Sequence, residues 1–160
     1  MKNLDTYVDI EASISSVWAI LTDFQSYGTW NPFIIQVEGA CLPDTSVKIV
    51  MYIPGKGIQR YKILLTHIEE PNSLCWLGHF KLPGLIDGSH HFNLSTTPEG
   101  RTRVRQYQDF NGILVPFVWR GFIQRYLLPC FERLNQNLKA RCENTPLPVV
   151  LPRQPTKLDQ

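Results

Sequence analysis

Hydrophobic and polar positions along the chain follow two different periods, and the change between them divides the sequence. Between Tyr7 and Ala12 they alternate, with Val8, Ile10 and Ala12 on one side, which predicts a strand. Ser13 is placed to cap a helix, and Ile14, Val17, Trp18 and Leu21 follow at helical spacing. Phe24 to Gly28 reads as a further turn of helix. Pro32 ends it, because a proline disfavours helix at the residue before it, Asn31.

Alternation then returns and persists. Phe33–Glu38 is a strand candidate. Val47, Ile49, Met51 and Ile53 share a face, as do Tyr61, Ile63 and Leu65. So do Leu74, Trp76, Gly78 and Phe80; then Ile86, Gly88, His90, Phe92 and Leu94; then Val104, Gln106, Gln108 and Phe110. Turn signals separate these runs at 54–57, 71–73, 83–84 and 98–100. Beyond them Leu127, Phe131, Leu134 and Leu138 recur at helical spacing, predicting a long helix over 116–144 that Pro129 should kink or split. Lys139 and Arg141 suit its C-terminal dipole. Residues 145–160, with four prolines, read as a tail without its own fold.

Antiparallel strands with helices segregated to the ends predict an α+β domain. The expected architecture is a curved antiparallel sheet of about six to seven strands around one long C-terminal helix, with two short helices after the first strand. The domain should occupy residues 1–144, followed by the tail 145–160.

Composition sharpens this picture. Hydrophobic residues are 43% and charged residues 19% of 160, below the usual level of about 25% charged, which excludes a disordered chain. The net charge of +2 is too balanced to argue by itself for nucleic acid or an anionic membrane. No apolar run reaches the ~18 residues of a membrane span. Asp5, Asp9 and Glu11 near the N-terminus are unlike a signal peptide, so a cytoplasmic protein is expected. Cys41, Cys75, Cys130 and Cys142 lie far apart without CxxC spacing and are expected to be free thiols. The four histidines have no metal spacing with them. Walker, GxGxxG and GxSxG motifs are absent, so neither a metal nor a cofactor is expected.

The strand faces carrying Arg60, Lys62, Arg103 and Arg105 must point away from the long helix. The opposite faces then place Tyr61, Ile63, Trp76, Phe80, Phe92, Val104 and Phe110 inside, together with His90, Gln106 and Gln108. Burying an unpartnered polar group costs on the order of 1–3 kcal/mol. Three such groups on adjacent strands predict a mostly apolar pocket with polar anchors. The alternative is that they satisfy one another or a buried water. His90 is the candidate ligand anchor or general base. Asp87, Asp109 and His91 should face outward, leaving no evident carboxylate to orient it. Arg101, Arg103 and Arg105, beside Arg60 and Lys62, are either a docking face for an acidic group or a solvated sheet surface. The stacking aromatics that nucleic acid would want on that face are not found.

The motifs resemble a known superfamily. They are Ile10-Glu11-Ala12-Ser13 with Val17-Trp18 and Leu21-Thr22-Asp23, then Tyr27 with Trp30-Asn31-Pro32-Phe33, then Leu74-Cys75-Trp76-Leu77-Gly78. Gly84-Leu85-Ile86-Asp87-Gly88 leads to His90 and Phe92. Thr102-Arg103, Phe110-Asn111-Gly112-Ile113-Leu114, and Leu134-Asn135 through Leu138-Lys139 complete them. Over about residues 5–144 the chain is similar to the helix-grip SRPBCC superfamily, which includes START lipid-transfer domains, plant pathogenesis-related allergens and polyketide cyclase/dehydrase-like proteins. The resemblance implies a helix-grip fold and a cavity between sheet and helix, with Trp30 and Asn31 near its mouth. Trp30 would stack on a ligand there, unless it simply packs the helix-to-sheet junction. Many relatives carry an acidic residue where this chain has Gln108.

The superfamily contains carriers, enzymes and interaction modules. The leading expectation is binding of a small hydrophobic ligand, lipid, polyketide or aromatic-like. The expected contacts are Trp30, Asn31, Tyr61, Trp76, Phe80, His90, Phe92, Gln106, Gln108 and Phe110. One alternative is a cyclase/aromatase- or dehydratase-type enzyme in which His90, Tyr61 or Tyr107 moves protons. Another is an interaction module with a vestigial pocket, docking through the basic strand face or the Pro-rich tail. The oligomeric state is left open.

Overall fold

The computed structural model describes residues 2–154. Seven antiparallel strands form one sheet in the order β1-β7-β6-β5-β4-β3-β2. They are β1 (Lys2–Ile10), β2 (Ile34–Glu38), β3 (Ser46–Ile53), β4 (Gly57–Glu69), β5 (Ser73–His79), β6 (Asp87–Thr96) and β7 (Thr102–Asn111). Consecutive strands from β2 to β7 are neighbours, as hairpin connections demand, and β1 closes the series against β7. Register shifts between Ile34 and Gln36 and between Leu65 and His67 interrupt the ladders, a device that bends a sheet.

β1 begins five residues before the alternation predicted. Leu4 and Thr6 continue the phase of Val8 and Ile10, but the polar residues among them hide the pattern. Helix α1 (Ile14–Thr22) starts where Ser13 accepts a hydrogen bond from the Ser16 amide, and it buries Val17, Trp18 and Leu21. A 3-10 turn (Phe24–Thr29) follows, pinned by the Tyr27 hydroxyl donating to the Leu21 carbonyl at 2.6 Å.

The long C-terminal helix has three windings in succession: α2 (Val115–Val118), a π-helical stretch (Trp119–Leu127) and α3 (Leu128–Cys142). Pro129 sits in the first turn of α3, where an N–H is dispensable. The expected break therefore takes the form of a change of winding just before the proline. Phe131, Leu134 and Leu138 of α3 are fully buried in the core. Polar ties fix the helix to β1: Asn135 Nδ2 donates to Thr6 Oγ1 at 3.0 Å, and Lys139 Nζ donates to the Asp9 carbonyl at 2.7 Å.

Residues 145–154 carry no helix or strand. Asn137 holds them by a reciprocal pair of 2.9 Å bonds with the Val149 backbone, and Gln154 Nε2 donates to the Gly28 carbonyl at 3.1 Å. Positions 155–160 of the expected tail lie outside the described residues.

Candidate functional site

Between the sheet and the π-helical stretch lies a cavity of about 450 Å³. That is inside the range of roughly 300–1,000 Å³ typical of small-molecule sites. β2 to β7 all contribute wall residues, and Val118, Phe122, Ile123 and Leu127 supply the helix side. Two inward glycines help to make the space. Gly78 and Gly88 face each other across β5 and β6, so two side chains are missing at adjacent wall positions. The two exposed lining residues, Lys56 and Phe80, mark the mouth.

Six of the ten sequence-selected residues line this cavity: Tyr61, Trp76, Phe80, His90, Gln108 and Phe110. Phe80 is not interior as the alternation required. β5 ends at His79, and Phe80 stands 38% exposed at the mouth. Four others lie outside the lining. Phe92 and Gln106 are fully buried behind the wall, Phe92 packed on Trp76 and His90 and Gln106 bonded to His90.

Trp30 and Asn31 are also removed from the cavity, which corrects their expected place at its mouth. Trp30 is wholly buried against Tyr27, ring centroids 5.0 Å apart, and its carbonyl accepts from Asn137. Asn31 Oδ1 accepts from the Phe33 and Ile34 amides at 2.9 and 2.8 Å, turning the chain into β2. Both close the helix-to-sheet junction. Tyr107, an expected proton carrier, points to the opposite face of the sheet, stacked on His91 at 4.4 Å. Its odd position in β7 puts it out of phase with Gln106 and Gln108.

His90 is held from every side. Its ring stacks on Trp76 at 4.6 Å and meets Phe131 edge-on at 4.9 Å. Nδ1–H donates to Gln108 Oε1 at 3.1 Å, and Nε2 accepts from Gln106 Nε2 at 3.2 Å. Burial pulls the imidazole down to about pH 3, against the Gln108 hydrogen bond, which works the other way. The ring is neutral at physiological pH, and both of its nitrogens are engaged. Accepting a proton would cost it the Gln106 bond and bury an imidazolium among aromatic rings.

Gln108 faces the space that His90 backs. Its Oε1 is taken by His90, while its Nε2 has no hydrogen-bond partner among the described residues. A Cβ on Gly88 would lie 2.0 Å from that nitrogen, so the glycine leaves room for the amide. A donor thus stands in a largely apolar wall. Tyr61 is a second polar group there, its phenol pushed up by burial and so neutral. At the mouth His79 Nδ1 lies 2.7 Å from Asp87 Oδ1, a contact that strand periodicity alone did not identify. Of the helix-side wall only Leu127 carried a periodic signal, because a π-helical winding departs from the about 3.6-residue period used to find helices.

The outward arginines are satisfied within the sheet. Arg103 forms a two-pronged pair with Asp9 at 2.7 Å, and Arg105 Nε contacts Asp5 at 3.0 Å, both across the β1–β7 ladder. Arg60 and Lys62 belong to β4, separated from β7 by two strands, so they do not extend this row.

The family model for polyketide cyclase / dehydrase and lipid transport matches residues 1–143. No curated protein matches the sequence. Among solved structures, the aromatase/cyclase Zhui from a Streptomyces species superposes with a TM-score of 0.72 at 16% identity, covering 89% of this chain and 94% of that one. A START superfamily protein from Mycobacterium smegmatis gives 0.69 at 17% identity, covering 89% and 97%. A protein from Arthrobacter aurescens gives 0.66 at 18% identity, covering 85% of each chain. At these identities the likeness establishes the helix-grip fold.

Proposed function

Because the chain belongs to the polyketide cyclase / dehydrase and lipid transport family, we propose that it binds a small, largely apolar molecule carrying a hydrogen-bond acceptor such as a carbonyl. The observation that carries this reading is the Gln108 amide, a donor without a protein partner facing an apolar cavity of about 450 Å³. His90 is then a positioning residue, holding Gln108 through its Oε1. The family's description, which includes lipid transport, supports an apolar ligand. The free thiols at Cys41, Cys75, Cys130 and Cys142 fit a reducing compartment, and the cytoplasm is the location we propose.

The test compares an aromatic ketone with its hydrocarbon analogue of equal size, titrated into wild type and Gln108→Leu. Wild type should prefer the ketone by about tenfold, near 1.4 kcal/mol, and the variant should lose that preference while still binding the hydrocarbon. Equal ketone preference in both proteins would remove Gln108 from the site. A cyclase-type reaction is a second reading, favoured by the His79–Asp87 pair at the mouth, where a carboxylate orients an imidazole. It requires that His79→Ala abolish turnover and spare binding.

A further inference from the structure

The face of the sheet turned away from the C-terminal helix carries two sets of cations, and the fold treats them differently. On β7, Arg103 and Arg105 are neutralised by Asp9 and Asp5. On β4 and the loop joining β5 to β6, Lys62 and Lys81 are exposed and form no ion pair among the described residues. Lys48 stands directly opposite Lys62 on the neighbouring strand, so the register adds like charge there rather than counter-charge. The flanking carboxylates are engaged elsewhere. Glu38 Oε1 accepts from Gln36 at 3.0 Å, and Asp87 holds His79 and the Gly84 amide.

These cations border a groove of about 580 Å³. Arg60, Lys62 and Lys81 stand in its wall, and its lining includes no Asp or Glu. Its floor is apolar. Leu64 and Leu77 are paired across the β4–β5 ladder, and Phe80 and Pro83 close the loop side. Leu64 stays 39% exposed there, a large apolar side chain that nothing in the chain covers among the described residues. Lys62 and Leu64 alternate with the cavity-lining Tyr61 and Ile63, so groove and cavity lie on opposite faces of β4.

We propose that this groove binds a small organic phosphate, with its phosphoryl oxygens on Lys62, Lys81 and Arg60 and its carbon body on Leu64, Leu77 and Phe80. A phosphate monoester carries a charge of about −1.5 to −2 at pH 7 and three acceptor oxygens, which suits several cations around one concavity. A guanidinium matches phosphate in two-pronged geometry, and lysines add point charges. A single carboxylate would leave part of that positive charge unmet. The volume falls within the roughly 300–1,000 Å³ of small-molecule sites, so an extended acidic peptide would overrun it.

The experiment is calorimetric titration of the full chain with 1-naphthyl phosphate and with inorganic phosphate at low salt. Wild type should bind the ester saturably and at least about tenfold more tightly than inorganic phosphate, and added salt should weaken it. Lys62→Glu combined with Lys81→Glu should raise the dissociation constant at least about tenfold. Both positions are exposed, so the fold is retained, and the double variant should bind the ketone as wild type does. Met51→Trp, which enlarges a side chain in the cavity lining, should leave binding of the ester unchanged. These two controls separate failure of the groove from failure of the cavity reading. Absence of saturable ester binding by wild type would overturn the proposal, as would inorganic phosphate binding equally tightly. So would loss of ester binding in Met51→Trp, which would place the ester in the cavity. An equal loss in Arg133→Glu, a charge reversal at an exposed position of α3, would also overturn it by showing a response to net charge alone.

Discussion

Gln106, His90 and Gln108 form a relay in which each side chain fixes the next, and its consequences can be measured one residue at a time. His90 takes up protons far more readily unfolded, where its pKa is about 6.5, than folded, where burial brings it to about 3. Its contribution to stability is complete above pH 6.5 and is lost as the pH falls toward 3. The slope should approach about 1.4 kcal/mol per pH unit. Urea titrations across that window should show the loss in wild type, and a flatter profile for His90→Phe despite its lower overall stability. An unchanged slope would mean that His90 is not the group being protonated. Gly88→Ala tests the other end of the relay. Its Cβ would meet Gln108 Nε2 at 2.0 Å and displace the amide, so ketone preference should fall as in Gln108→Leu. The three polar residues were legible as an inward-facing group because strand alternation is strict. Their hydrogen bonding to one another, which leaves Gln108 Nε2 and Gln106 Oε1 without partners among the described residues, was one of two readings, since spacing along a chain carries no information about χ angles.

At the scale of elements, the alternating strands were recoverable from sequence and their junctions were not. Trp30 and Asn31 attracted a ligand role because an aromatic beside an amide in a loop has the chemistry for it. In the fold that chemistry is spent on the chain itself, with Asn31 capping two amides at the start of β2. Asn31→Ala should destabilise the protein by about 1–3 kcal/mol in denaturant unfolding while leaving ligand affinity unaltered. A drop in affinity without a drop in stability would return Asn31 to the site. The C-terminal helix shows a different limit. Its α3 portion follows the expected spacing of Phe131, Leu134 and Leu138, whereas the portion lining the cavity is mostly π-wound and only Leu127 at its end shared that spacing. The arginine row on β7 needed its partner strand for interpretation, because Asp5 and Asp9 lie about a hundred residues away in sequence.

For the whole molecule, average quantities conceal what their distribution reveals. The net charge of +2 conceals a patterned surface, in which Arg103 and Arg105 of β7 pair with Asp9 and Asp5 of β1. The inward-facing His90, Gln106 and Gln108 predicted a pocket. Its size depends on the paired glycines and on how the π-helical stretch spans the sheet, which only the assembled fold determines. The central claim is that this space receives a ligand, and calorimetric titration with a neutral apolar probe, N-phenyl-1-naphthylamine, tests it most directly. Wild type should bind one equivalent saturably, with a negative heat-capacity change from burial of apolar surface. Met51→Trp places a larger side chain in the lining from a half-buried position and should abolish that binding without unfolding the protein. Absence of saturable binding by wild type, or equal binding by a folded Met51→Trp variant, would contradict the account.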